Sequence, residues 1–128
     1  MNSAWKKAIE QGDVDAVRQQ LNLGADINVR DRYGQTGLML AARAGQQEVV
    51  HTLIANGADL NVTAKYGLSA LMLAVIAGHT DIARMLARAG ADLSIRGRGT
   101  PGFAGKTAYD LALGQKMHEL YEELDPRR

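Results

Sequence analysis

The sequence predicts an all-α repeat solenoid, a stack of helix-turn-helix units with projecting β-hairpin loops. Three observations carry this reading. Gly-Ala-Asp occurs at Gly24-Ala25-Asp26, Gly57-Ala58-Asp59 and Gly90-Ala91-Asp92, each copy 33 residues after the last. Sliding residues 31–63 onto 64–96 without a gap matches 13 of 33 positions, among them Leu38-Met39-Leu40-Ala41 on Leu71-Met72-Leu73-Ala74. Each unit also opens an apolar run with a hydroxyl residue and closes it with a glycine, the punctuation of a short helix.

The elements follow in chain order. Ser3 precedes the run Ala4–Ile9, Thr36 precedes Leu38–Ala42, Ser69 precedes Leu71–Val75 and Thr107 precedes Tyr109–Leu113. Each is expected to be an N-cap, whose side-chain oxygen accepts a bond from an orphan backbone N–H. The runs stop at Gly12, Gly45, Gly78 and Gly114, where a left-handed C-terminal cap is needed. A second helix follows in each unit with its apolar residues on one face: Val14, Val17 and Leu21; Val49, Val50, Leu53 and Ile54; Ile82, Met85 and Leu86; Met117, Leu120, Tyr121 and Leu124. Between units, residues 26–34 and 59–67 are polar, Gly-bracketed extended segments of the kind that form hairpins. Aligning Gly105 with Gly67 leaves a five-residue insertion in the last hairpin.

Helix, turn, helix and projecting hairpin at this period resemble the ankyrin repeat. The residues that carry the likeness are Asp31-Arg32-Tyr33-Gly34-Gln35-Thr36-Gly37-Leu38-Met39-Leu40-Ala41-Ala42, then Gly45, Glu48-Val49-Val50 and Gly57-Ala58-Asp59-Leu60-Asn61. The resemblance implies a single domain over 1–128, with repeats near 1–30, 31–63, 64–96 and 97–125. The family's usual Thr-Pro-Leu-His reads Thr36-Gly37-Leu38-Met39, Ser69-Ala70-Leu71-Met72 and Thr107-Ala108-Tyr109-Asp110, so Met39 and Met72 are expected to pack where a polar histidine would link neighbours. End units of such a stack need polar outer faces. Lys6, Lys7, Glu10, Asp13 and Asp15 at one end, and Lys116, His118, Glu119, Glu122 and Glu123 at the other, are expected to supply them, making a complete small solenoid and a monomer.

Composition removes much of the catalytic repertoire. The 128 residues include no cysteine and three scattered histidines, which excludes a disulfide framework, a thiolate nucleophile and Cys-based metal sites. No leader-like apolar core opens the chain, and no segment approaches the roughly 18 apolar residues of a membrane span. The expectation is a cytoplasmic protein with no membrane contact, no metal and no cofactor. His118 and Glu122 share a helix face, but a metal needs more ligands than this pair. His51 and His79 lack a carboxylate or nucleophile pattern for a dyad, and the recurrent Asp26, Asp59 and Asp92 read as turn architecture. Residues 96–106 contain G-x-G-x-x-G from Gly97 to Gly102, and Gly105-Lys106-Thr107 opens a helix, both phosphate-cradling signatures. A phosphate loop needs four residues between its glycines, and that spacing before Gly105 lands on Thr100, so Lys106 is out of register.

The charge distribution is more informative than its total. The hairpin stretches 27–35, 60–68 and 93–106 hold Arg30, Arg32, Lys65, Arg96, Arg98 and Lys106 against one acid, Asp31, for +5. The whole chain is +1, so the remainder carries −4. Tyr33, Tyr66 and Phe103, half of the six aromatic residues, lie in the same stretches. The family resemblance implies that hairpin tips and adjoining first helices form a concave partner-binding surface. By motif match this points to Arg30, Arg32, Tyr33, Gln35 and Arg43; to Thr63, Lys65, Tyr66, Leu68 and Ile76; and to Phe103 and Lys106. The expected function is non-catalytic binding of another protein with an acidic surface, centred on Arg32, Tyr33, Lys65 and Tyr66 with Leu68 and Ile76 for apolar contact. The alternative is a nucleic acid or phosphate ligand held by Arg96, Arg98 and Lys106.

Overall fold

A computed structural model describes residues 1–127; Arg128, which the expected domain takes in, lies outside them. The units are helix pairs: α1 (Ser3–Gln11) with α2 (Val14–Asn22), α3 (Gly37–Ala44) with α4 (Gln47–Ala55), and α5 (Ala70–Ile76) with α6 (Thr80–Arg88). In the last unit α7 (Ala108–Gly114) is followed by a 3-10 turn (His118–Leu120) and α8 (Tyr121–Leu124). First helices pack in the order α1, α3, α5, α7 and second helices in the order α2, α4, α6, α8, giving two layers. The core lies between them. Trp5, Ile9, Leu38, Leu53, Leu71, Leu86, Leu120 and Leu124 are fully buried, and so are Met39 and Met72, which supply the apolar packing expected of them.

The caps explain where helices begin, with one correction. Thr36 Oγ1 accepts from Met39 N at 3.3 Å, Ser69 Oγ accepts from Met72 N at 3.3 Å, and Thr107 forms a reciprocal capping box with Asp110. At the start, however, Asn2 is the cap, its Oδ1 accepting from Trp5 N at 2.8 Å, and Ser3 is already helical. The difference is one residue: both types can cap, and the registry that buries Trp5, Ala8 and Ile9 selects Asn2.

The last unit departs further. Gly114 belongs to α7, and the left-handed residue is Lys116 (φ 58°). The expected second helix is a 3-10 turn running into a single α turn. Met117 stands just before the 3-10 turn, Leu120 closes it and Leu124 closes the α turn. All three are buried. Glu123, expected on the polar outer face, instead turns inward to α6, where its Oε1 lies 2.6 Å from Arg88 Nη2 and its Oε2 3.4 Å from Arg84 Nε. Lys116, His118, Glu119 and Glu122 do face outward.

The hairpins contain no strands among the described residues, only the isolated bridges Arg30–Thr36 and Gly97–Ala104 and a 3-10 turn over Lys65–Gly67. Backbone turn bonds such as Asp31 N to Gln35 O and Ala64 N to Leu68 O close them, and side-chain bonds brace them. Asp26, Asp59 and Asp92 each accept from the backbone N–H two residues on, at Asn28, Asn61 and Ser94, closing Asx turns. Asn28 Oδ1 accepts from Asp59 N and Asn61 Oδ1 from Asp92 N, both at 2.8 Å, which ties each loop to the next unit. Hydrogen bonds from Ser94 hold the Asp92 carboxyl below the ordinary carboxylate range. That contribution is present above the unfolded-state pKa and is lost as pH falls through the lower folded-state value.

A second ladder runs along the first helices. Gln46 Nε2 donates to Glu10 O (3.0 Å), His79 Nε2 lies 3.1 Å from Arg43 O, and Gln115 Nε2 donates to Ile76 O (3.3 Å). This gives His79 a place between units. Its ring lies against Gly45 (φ 77°), where a Cβ would stand 2.8 Å from Cε1, so close approach and left-handed backbone both require glycine.

Gly37 is also constrained. A Cβ there would lie 2.5 Å from Ile9 Cδ1 and 3.2 Å from Trp5 Nε1. Proline is favoured at the first helical position, yet overpacking a filled core costs about 1–3 kcal/mol. Gly37→Pro is therefore expected to lower the urea midpoint; a raised midpoint would contradict this packing.

Candidate functional site

Three units converge on one open pocket of about 420 Å³. The inner helices contribute Arg43 from the last turn of α3, and Leu73 and Ile76 from one face of α5. The first hairpin stretch contributes Tyr33 and Gln35, the second Ala64, Lys65, Tyr66 and Leu68, and the last Phe103. Eight of the residues singled out by sequence thus surround a single space: Tyr33, Gln35, Arg43, Lys65, Tyr66, Leu68, Ile76 and Phe103. Arg30, Arg32 and Lys106 do not line it, and neither does Thr63. Leu68 is buried and forms floor rather than exposed contact.

Ala64 and Leu73 are additions. Leu73 aligns with the buried Leu40, so the repeat pattern assigns it to the core. It is half-buried because α5 presents Leu73 and Ile76 together, and the three-residue spacing to Ile76 is the signal that could have found it.

The aromatic wall is built by the insertion. Arg98 N donates to Tyr66 O at 2.8 Å, its side chain covers Gly67, and a Cβ at Gly99 would stand 2.9 Å from Tyr66 Cδ1. The loop thereby wraps Tyr66 and carries Phe103 to it, with ring centroids 5.5 Å apart. Tyr66 itself is left-handed (φ 62°), a conformation costly for a bulky residue and stable only where surroundings over-determine it.

Cations stand around this wall. Arg32 Cζ lies 5.3 Å from the Tyr33 ring centroid and Lys65 Nζ 5.0 Å from that of Tyr66. The ion pairs among the described residues involve Arg18, Arg84, Arg88 and Arg127, so Arg32, Arg43 and Lys65 face no carboxylate. Asp31, the one acid of the hairpins, is turned into its own loop, with Oδ1 accepting from Tyr33 N and Gln35 N.

Much of the backbone of the glycine-rich segment is bonded within the loop. The amides of Gly97, Phe103, Ala104, Gly105 and Lys106 donate to carbonyls within the loop, and Arg96 Nη1 donates to Gly105 O at 2.6 Å. The Thr107–Asp110 box occupies the start of α7. A second depression, of about 490 Å³ between α2 and α4, is polar and lined by Asp13, Asp15, Arg18, Glu48 and His51. Among the described residues no three His, Cys, Asp or Glu side chains gather to hold a metal ion. His118 stacks edge-on against Tyr121, with centroids 5.2 Å apart. No described helix is long and apolar enough to cross a membrane.

Comparison with known proteins agrees with this architecture. A family model of ankyrin repeats in three copies matches residues 5–96. The chain belongs to the ankyrin-repeat family. The inserted last unit lies beyond the matched stretch. Among similar proteins, a probable E3 ubiquitin-protein ligase of Oryza sativa is 47% identical over 53 residues, 41% of this chain and 10% of that protein. A putative ankyrin repeat protein of Rickettsia felis is 38% identical over 50 residues, 39% of this chain and 79% of that protein. The solved structure of the predatory endopeptidase Bd0816 of Bdellovibrio bacteriovorus in complex with the immunity protein Bd3460 contains a chain that superposes with a TM-score of 0.86 at 30% identity, covering 99% of this chain and 64% of that one. The chain thus spans about a tenth of the rice relative and under two thirds of the solved chain.

Proposed function

We propose that this ankyrin-repeat chain is a non-catalytic binding module that engages a protein with an acidic surface through its hairpin tips and inner helices. The observation that carries this reading is the apolar pocket to which three units contribute, walled by Tyr33, Tyr66 and Phe103 and flanked by cations without carboxylate partners. Tyr and Arg are the residues most often responsible for interface energy. The solved complex supports the reading, because it joins an endopeptidase to an immunity protein and one of its chains shares this fold. Action as a monomer in the cytoplasm belongs to the same proposal.

The test compares what is captured from an extract of the source organism by the native chain and by its Arg32→Ala, Tyr33→Ala, Lys65→Ala, Tyr66→Ala variant. A protein retained only by the native chain is expected. Equal capture by both forms moves the site elsewhere, and capture of nucleic acid that is lost with salt favours the alternative. Because many of its amides are already bonded within the protein, the 97–107 loop is expected to show no amide shift when inorganic phosphate or ATP is added in an NMR titration. A saturable shift there would revive the phosphate reading.

A further inference from the structure

The pocket and its margin together define what kind of partner segment fits. The floor is aliphatic, Leu68, Leu73 and Ile76, and the walls are the Tyr33, Tyr66 and Phe103 rings. Such a space gains by removing one bulky apolar side chain from water. At about 420 Å³ it lies toward the lower end of the roughly 300–1,000 Å³ range of ligand pockets. The wall is also preformed, since Tyr66 is held in its left-handed conformation by the Arg98–Gly99 backbone, so insertion costs little ordering.

Three cations fix the charge of whatever enters. Arg43 stands at the inner-helix margin, while Arg32 and Lys65 stand at the hairpin margin over tyrosine rings. Arg32 lies outside the pocket lining, and Tyr33 is 61% exposed. A ligand that fills the pocket, meets Arg43 and Lys65 in its lining and also reaches Arg32 therefore extends beyond the cavity. That requirement fits a chain segment better than a compact small molecule.

We propose that the pocket receives a single Leu, Met or Phe side chain from an acidic segment of the partner. Flanking Asp or Glu carboxylates pair with Arg43 on one margin and with Arg32 and Lys65 on the other. This inference rests on the protein-binding reading and narrows it to an apolar anchor between carboxylates.

Selection from a random 12-residue peptide library displayed on phage, with the full chain as bait, tests it. The expected consensus is one large apolar residue flanked on both sides by Asp or Glu. A synthetic peptide of that consensus should lose about thirty-fold or more in affinity to Ile76→Glu, and when its own anchor becomes alanine. Arg43→Glu with Lys65→Glu should weaken it about ten-fold or more, with the remaining affinity less sensitive to salt. Thermal unfolding verifies that each variant folds, and Ile76→Ala replaces Ile76→Glu if it does not. Peptides that require Tyr33 and Tyr66 but lack either anchor or acids would overturn this inference and leave the concave-face reading standing. Peptides that bind Ile76→Glu and the four-alanine variant as well as the native chain would overturn both. Absence of any enriched peptide would overturn the anchor proposal alone.

Discussion

Replacing Leu53 with alanine is expected to lower the free energy of unfolding by about 2–5 kcal/mol, a large part of the roughly 5–15 kcal/mol that stabilises a domain. Leu53 has no exposed surface and lies in α4, which packs on both α2 and α6. In a stack stabilised by nearest-neighbour contacts, a cavity in a middle unit loosens the interfaces on either side. Leu23, 75% exposed at the end of α2, provides the contrast, and its alanine variant should stay within about 0.5 kcal/mol of the native chain. Urea unfolding followed by circular dichroism measures both. A Leu53→Ala loss below about 1 kcal/mol would contradict the core described here.

Tyr66→Ala is expected to reduce affinity for the protein partner about thirty-fold or more while the helices remain intact. The substitution removes the ring that packs on Phe103 and carries the Lys65 ammonium, opening the pocket on the side where the insertion closes it. Tyr66→Phe keeps the ring and should remain close to native. Calorimetric titration with the captured partner separates the two, and native affinity in Tyr66→Ala would remove this residue from the site.

Much of this architecture was legible in the sequence because repetition writes each element more than once. Thr36, Ser69 and Thr107 cap helices, and Gly12, Gly45 and Gly78 follow their ends in left-handed conformation, as the pattern predicts. The site was legible in part. The excess of Arg, Lys, Tyr and Phe on the hairpins marked most of the pocket, yet Arg30, Arg32 and Lys106 lie outside its lining. Other features leave no local trace. Gln46, His79 and Gln115 bond to backbone carbonyls of the preceding unit, and a carbonyl has no side-chain signature to read. Glu123 meets Arg88 across 35 residues, and nothing in the last helix's polar pattern distinguishes it from its exposed neighbours. The Asn28 and Asn61 bonds are an intermediate case, since both residues recur two positions after the repeated Gly-Ala-Asp and were readable as a ladder.

The most direct test of the concave face is hydrogen–deuterium exchange of the native chain alone and in complex with its captured partner. Slower exchange on binding is expected in residues 30–35 and 63–68 and at the C-terminal turns of α3 and α5, with α2, α4 and α6 unchanged. Protection confined to those second helices would place the partner on the opposite surface and contradict the assignment.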